Sequence, residues 1–211
     1  NNRVDVFAIT DFHIGKTGTK DVLDRIKSVC EDIANSDAQE KHLFILWDIV
    51  ESLVPGGMHP WQEASQEVKL FDLWKLATKY INNLVNSSEW LKVYLMAGNH
   101  GRVGTMNTGK HDWLWELSIY ETVRLMNEGK DITIFNDYVE KIEIDWVQYI
   151  FSHWENWFDK EAPEKLAWKY KADPNKPLVI IYWHFHNIMA SESKWVIKVW
   201  LPALAGAGDF N

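Results

Sequence analysis

The stretch Leu91-Lys92-Val93-Tyr94-Leu95-Met96-Ala97-Gly98-Asn99-His100-Gly101-Arg102 decides the fold, because an apolar run ends abruptly in polar, turn-forming residues. The apolar part predicts a buried β-strand. Asn99 offers a neutral carbonyl oxygen as a ligand, and the flanking glycines allow the backbone to turn sharply. Strands that end in such residues place a site at one edge of a sheet, where loops gather. An ordinary polar loop is the alternative interpretation.

Two earlier segments repeat this arrangement of a strand followed by metal-binding residue types. The run from Val4 to Ile9 predicts a first strand, and Asp11 and His13 follow it with side chains on the same face. A carboxylate and an imidazole together suit a divalent cation. The run from Leu43 to Leu46 predicts a second strand, and the two oxygens of Asp48 beyond it are able to bridge two cations. Taken singly, each aspartate is also explained as a turn residue.

Histidines occupy the corresponding positions in the second half of the chain. His153 ends the apolar segment that precedes it, where a hydrogen-bonded core histidine is the alternative. His184 and His186 lie two residues apart, so an extended backbone presents both on one face and lets them reach two metal ions. His42 and His59 are expected at the surface, apart from these candidates.

The order of predicted elements indicates two packed sheets flanked by helices. Apolar residues at helical spacing predict helices over 21–34, from about 61 to 84 and from about 112 to 127, between the first strands. The second half changes to short strands joined by tight turns, over 132–135, 138–144, 147–152, 178–182 and 196–199. Alternating strands and helices followed by hairpins predict an α/β protein with one domain over 1–211, with trimming at one or both ends left open.

Composition sets the outer limits of function. With 211 residues, 46% hydrophobic and 25% charged, the chain has an ordinary globular composition. It has no apolar run of about 18 residues and no signal-peptide pattern at its start, so we expect a cytoplasmic protein without a membrane partner. The net charge of -8 argues against a broad basic surface for duplex DNA. Nucleic acid remains a possible substrate, because bound divalent cations reverse the local field.

In chain order, the motifs Asp-x-His, Asp-x-x-Glu, Gly-Asn-His, His and His-x-His resemble those of the calcineurin-like metallophosphoesterase superfamily, and the resemblance covers nearly the whole chain. It implies a four-layer α/β-β/α sandwich, with two mixed sheets flanked by helices and a binuclear metal site at the sheet edges. The resemblance assigns one metal to Asp11, His13 and His186, the other to Asn99, His153 and His184, and the bridging position to Asp48.

The family mechanism has a metal-bridging water or hydroxide attack phosphorus in line. His100 would protonate the leaving oxygen or hold the phosphate, and Arg102 would clamp a phosphate oxygen. The mixed ligand types suit Mn²⁺, Fe or Zn²⁺ and do not choose among them. We expect two divalent ions, with Mn²⁺ as the first choice. The Gly-Asn-His-Gly-Arg variant is similar to nucleic-acid-processing and phage-type members, so we expect a phosphodiesterase or nuclease acting on DNA or nucleotides.

Other functions remain open beside this expectation. A phosphomonoesterase or protein phosphatase would use the same ligands. A phosphate-binding or scaffolding module that has lost turnover is a further alternative, as is a structural metal site, although structural sites usually use four Cys and His ligands. The oligomeric state has no signature in the sequence.

Tryptophan stands where the family has glycine at several motif positions. Trp47 precedes the bridging aspartate, Trp154 follows the fourth-motif histidine and Trp183 precedes the His-x-His pair. Trp146 and Trp195 occupy predicted hairpin turns that favour glycine, and Trp200 is a possible sixth case. The chain holds 13 Trp and 11 Gly, which agrees with a replacement of glycine by tryptophan. The alternative is that these indoles form aromatic core or stack on bases in a substrate groove.

Overall fold

The computed structural model describes residues 3–15, 19–50, 70–98, 100–101, 115–137, 139–153, 163–183, 189–193 and 195–205. Within these ranges the chain forms nine strands and four helices. The strands are β1 Val4–Thr10, β2 Glu40–Leu46, β3 Leu91–Met96, β4 Ile132–Ile134, β5 Val139–Ile144, β6 Val147–His153, β7 Leu178–Trp183, β8 Met189–Ser193 and β9 Val196–Trp200. The helices are α1 Thr19–Asn35, α2 Leu70–Val85, α3 Glu116–Met126 and α4 Pro163–Lys169.

The first sheet has the strand order β1-β2-β3-β4, and all its described pairs are parallel. Helices α1, α2 and α3 lie between successive strands along the chain, as the sequence predicts. A wholly parallel arrangement differs from the expected mixed sheet, because each of these connections contains a helix instead of a hairpin. Parallel pairing brings the carboxyl ends of β1, β2 and β3 to one edge.

The second sheet has the order β5-β6-β7-β9-β8 and is mixed. β5 with β6 and β8 with β9 are antiparallel hairpins, whereas β6 with β7 and β7 with β9 are parallel. The prediction that hairpins replace crossovers in this half is therefore only partly right. It missed α4, a short helix between β6 and β7, and it missed β8, whose sequence Met-Ala-Ser-Glu-Ser lacks an apolar alternation.

Alternate side chains of each central strand define four layers. In β2, Leu43 and Ile45 pack on the side of helices α1 to α3, while Phe44 and Leu46 pack against the second sheet. In the second sheet, Phe151 faces that shared interior, and Ile150 lies on the opposite side with residues of α4. The layers therefore run helices, sheet, sheet, helix, which confirms the predicted α/β-β/α sandwich.

His42 is buried, so the expectation that it lies at the surface is wrong. Its Nε2 lies 2.9 Å from Glu40 Oε1 and its Nδ1 lies 3.2 Å from the hydroxyl of Tyr94. These polar partners let β2 bury an imidazole toward its amino end, away from the edge that carries Asp48. Among the described helices, none has the length and apolar character needed to cross a membrane.

Candidate metal centre

The carboxyl ends of β1 and β2 hold two predicted metal-binding segments side by side. Beyond the strands, the Asp11 amide donates to Trp47 O at 3.2 Å and the His13 amide donates to Asp48 O at 2.9 Å. The pairing continues to an isolated parallel bridge between Ile14 and Val50. These backbone bonds fix the spacing of the two segments and so bring their acidic and imidazole side chains together.

Asp11, His13 and Asp48 form a compact cluster in which one ligand atom from each lies within 4.8 Å of the others. All three side chains are buried. Oδ1 of Asp11 is 3.4 Å from Nε2 of His13, and no hydrogen bond of good geometry from a described residue reaches this oxygen. A buried oxygen in this situation, beside an imidazole nitrogen and a second carboxylate, is suited to bind a divalent cation.

The backbone at the cluster is strained. Asp11, His13 and Asp48 have φ values of 57°, 44° and 46°, in the left-handed region that costs non-glycine residues about 1–2 kcal/mol each. Such conformations persist where surrounding structure enforces them, and they concentrate at functional sites. The strained backbone therefore lowers the stability of the two segments, but it directs these three side chains into one cluster.

The pKa of Asp11 is raised to about 6, chiefly by burial and also by the negative charge of Asp48. Interactions with His13 and with the Thr10 hydroxyl act in the opposite direction. Two carboxylates buried this close repel each other when both are ionised. A bound cation removes that repulsion, so the donor set fits a divalent metal.

His100 lies directly against the cluster. Its backbone amide donates to Asp48 Oδ1 at 2.8 Å, and its ring meets the ring of His13 edge-on with 4.8 Å between centroids. Gly98 makes this approach possible, because a Cβ there would sit 2.1 Å from Asp48 Oδ1. Gly98 and His100, which flank Asn99 in the sequence, therefore both lie against Asp48.

The structure also reveals a buried carboxylate that the sequence analysis missed. Glu116, the first residue of α3, accepts hydrogen bonds from the amides of Gly98 and Val50 at 2.9 and 3.2 Å. Burial, followed by the charge of Asp48, raises its pKa to about 7. A signal was present in the sequence: Glu116 shares a helical face with Ile119, Tyr120 and Val123, all of them buried.

Several predicted site residues fall outside the described part of the chain. They are Asn99, Arg102, His184 and His186, together with the side chain of His153. The backbone of His153 ends β6 in register with Trp183 of β7. Beyond β9, which is parallel to β7, the amides of Leu204 and Ala205 donate to the carbonyls of Thr10 and Asp11 at 2.9 and 3.0 Å. The chain leaving the second sheet therefore meets the end of β1.

Two of the six unexpected tryptophans have the backbone conformation of glycine. Trp47 has φ 51°, and Trp146 has φ 68° beside Asp145 at φ 44°. The latter pair forms the two-residue loop of the β5–β6 hairpin, which requires positive φ at both positions. Both positions therefore agree with the hypothesis that glycine was replaced.

The other four tryptophans do not show the backbone conformation of glycine, or they lie partly or wholly outside the described residues. Trp200 lies in β9 and packs on Tyr182 with 4.6 Å between ring centroids, so it is an aromatic core residue and not a turn residue. Trp195 lies in the loop of the β8–β9 hairpin. Trp154 and the side chain of Trp183 lie outside the described residues.

No protein-family model matches the sequence, and no curated protein matches it. Among solved structures, an archaeal phosphodiesterase aligns at 15% identity with a TM-score of 0.51, over 97% of this chain and 87% of that one. Escherichia coli YfcE, a phosphoesterase, aligns at 13% identity and TM-score 0.45 over 97% and 82% of the two chains. A single mutant of Vps29 from Entamoeba histolytica aligns at 14% identity and TM-score 0.46 over 97% and 77%. The chain has the fold of the calcineurin-like metallophosphoesterases that its motifs resemble.

Proposed function

We propose that the protein is a divalent-metal-dependent phosphoesterase, acting as a phosphodiesterase or nuclease on DNA or nucleotides. The observation that carries this proposal is the buried cluster of Asp11, His13 and Asp48 with His100 against it. An isolated group of buried carboxylates is costly to maintain unless a cation or a proton compensates it. The cluster lies at the sheet edge where the family has its catalytic centre.

The proposed site is binuclear. Asp11, His13 and His186 would hold one ion, Asn99, His153 and His184 would hold the other, and Asp48 would be shared between the two. The hydrogen bonds between the segment after β9 and the end of β1 support this proposal. They bring the carboxyl end of β9, in the second sheet, close to the carboxyl end of β1, in the first. Mn²⁺ is the proposed ion.

The two cations would supply Lewis-acid stabilisation and lower the pKa of a water molecule. The protein's own contribution is orientation and proton transfer. His100 is held by the hydrogen bond from its backbone N–H to Asp48 and by the edge-on contact of its ring with His13. A fixed imidazole suits a group that protonates the leaving oxygen or holds the phosphate. Arg102, two residues further along the chain, would pair with a phosphate oxygen.

The test is hydrolysis of a chromogenic phosphodiester by the purified chain with Mn²⁺, and again with excess chelator. We expect metal-dependent turnover that falls by about 10²–10⁴-fold in His100→Gln, the range for loss of a general acid. His42→Gln is the matched control, since it removes a buried imidazole from the same sheet away from the site. Equal turnover with and without chelator would contradict the proposal.

A second assay, which compares DNA with a phosphopeptide as substrate, decides the substrate class. Cleavage of single-stranded or duplex DNA but not of a phosphopeptide supports the diesterase assignment. Hydrolysis of phosphopeptide alone would replace it with a phosphatase.

A catalytically impaired phosphate-binding module is the second candidate, because Trp47 puts a fully buried indole on a strained backbone next to Asp48. Phosphate and Mn²⁺ binding without turnover would support it. Recovery of turnover on changing Trp47, Trp154 and Trp183 to Gly would show that the tryptophans block an otherwise competent site.

A further inference from the structure

We propose that Glu116 is a positioning residue that holds the two loops carrying the bridging and proton-transfer residues in register. The inference rests on the proposed metal site but concerns a residue outside its ligand set. Glu116 is fully buried at the start of α3, where it contacts backbone from both loops.

Its two carboxylate oxygens have separate partners. Oε1 accepts from Val50 N, two residues beyond Asp48, and Oε2 accepts from Gly98 N, two residues before His100. One side chain thus joins the loop after β2 to the loop after β3. Because each oxygen is used by a different loop, the link depends on both acceptors of a carboxylate.

The loop after β3 is also packed against the Glu116 side chain. A Cβ at Gly101 would lie 2.6 Å from Glu116 Cγ, so the backbone at this position rests on the methylene carbons. Gly101 O accepts a hydrogen bond from Trp115 N at 2.9 Å, which ties the same loop to the residue before the helix. The backbone positions of Gly98 and Gly101 therefore both depend on Glu116.

Movement of the loop after β3 would also displace groups that contact Asp48 in the metal-binding cluster. The amide of His100 donates to Asp48 Oδ1, and the backbone of Gly98 lies directly against that carboxylate. If the bond from Gly98 to Glu116 is lost, the loop is free to shift away from Asp48 and to take His100 with it. Groups that orient ligands in this way influence metal affinity although they do not touch the metal.

Glu116→Gln tests the inference, because it keeps the shape of the side chain but replaces one acceptor oxygen with an NH₂ donor. That donor then faces a backbone N–H, so one of the two links is lost. Glu121→Gln is the matched control: it lies on the same helix but is exposed and pairs with Arg124. Mn²⁺ affinity is measured by titration calorimetry and exchange of the Val50 and Gly98 amides by NMR, both at pH 8, above the pKa of about 7 of Glu116.

We expect Glu116→Gln to weaken Mn²⁺ binding by about 10–100-fold and to speed exchange at Val50 or Gly98, while amides within β2 and β3 keep their protection. Glu121→Gln should match the wild type in both measurements. A purely structural role would instead lower protection throughout the sheet and leave the affinity of the folded protein unchanged. That result, or unchanged exchange at both amides, would overturn the inference.

The two proposals fail in different ways. If the wild-type chain binds no Mn²⁺, the metal-dependent function is wrong. The positioning role of Glu116 is then judged by amide exchange alone, which does not require a metal.

Discussion

At the level of single residues, the candidate site contains several non-glycine residues with positive φ, a conformation that such residues rarely adopt. Asp11, His13 and Asp48 all have positive φ and are buried beside one another. Neither feature favours folding, so the surrounding strands must supply the stability that holds them. The alignment of β1 with β2 does so through backbone bonds that continue past the strand ends.

Trp146 is a strained residue with no compensating burial. It has φ 68° in a two-residue hairpin loop, and its side chain is 60% exposed. We expect Trp146→Gly to raise the free energy of unfolding by about 1 kcal/mol, because glycine removes the left-handed strain and little apolar contact is lost. Urea denaturation measures the change.

Trp90→Gly is the control for that measurement. Trp90 is also exposed, but its φ is not positive, so glycine there should be neutral or destabilising. Equal effects of the two substitutions would show that loss of an exposed indole, and not relief of strain, determines the stability.

Glu116 gives the metal-free protein a predictable pH dependence. Its pKa is raised from 4.5 to about 7, so the folded state binds a proton more tightly than the unfolded state. Its contribution to stability is therefore complete below about pH 4.5 and is lost as the pH rises through 7, by about 3 kcal/mol at about 1.4 kcal/mol per pKa unit. Glu116→Gln lacks this titration.

The measurement is the difference in free energy of unfolding between Glu116→Gln and wild type, with chelator present, at pH 5 and pH 8. The difference should shift in favour of the variant as pH rises, while effects of other titrating groups largely cancel. A difference that stays constant with pH would mean that Glu116 is not protonated in the folded protein near neutrality.

At the level of elements, the sequence predicts best where the hydrophobic period is strong. Apolar residues at helical spacing predict a helix over 21–34, and α1 spans Thr19–Asn35. Helix α4 and strand β8 were missed because a seven-residue helix and a five-residue polar strand carry almost no periodic signal. Their structure depends on packing against the rest of the second sheet.

The same contrast applies to the site. Candidate ligands can be recognised in the sequence because acids and histidines follow strand ends, and the structure brings three of them, Asp11, His13 and Asp48, together. The role of Glu116 is not visible in this way, because its partners, Val50 and Gly98, are 66 and 18 residues away and act through backbone amides. Such contacts leave no pattern of residue types in the partner segments.

The loop after β3 depends on the absence of a side chain at Gly98. In Gly98→Ala the new Cβ would meet Asp48 Oδ1 at 2.1 Å and Asp48 N at 2.2 Å, so the loop or the aspartate must move. We expect Mn²⁺ affinity to fall by at least about 10-fold. Titration calorimetry on the folded variant is the measurement.

Gly129→Ala separates this effect from general loss of stability. Gly129 has φ 93° in open space beyond α3, so alanine there adds strain of about 1 kcal/mol but contacts nothing within 4 Å. Metal affinity should be that of the wild type. If both alanine variants bind Mn²⁺ normally, the close approach of Gly98 to Asp48 is not needed for the site.

At the level of the whole molecule, the apolar core and the candidate metal site are built from different residues. The three apolar clusters that join the four layers do not include Asp11, His13 or Asp48. The sandwich should therefore remain folded when metal is removed, unlike a small domain held together by zinc. Metal binding then adds to an existing stability.

We expect Mn²⁺ to stabilise the folded chain by about 2.7 kcal/mol at a free concentration about 100 times its dissociation constant, as mass action requires. Excess chelator should reverse the gain without loss of secondary structure, measured by circular dichroism during thermal unfolding. Asp11→Asn should lose most of the Mn²⁺-dependent gain but keep the metal-free fold, because it replaces a buried acid with a neutral group of similar size. Unfolding by chelator alone would identify the metal as structural, since stability would then depend on the ligands and not on the apolar layers. A full Mn²⁺ response in Asp11→Asn would remove Asp11 from the ligand set.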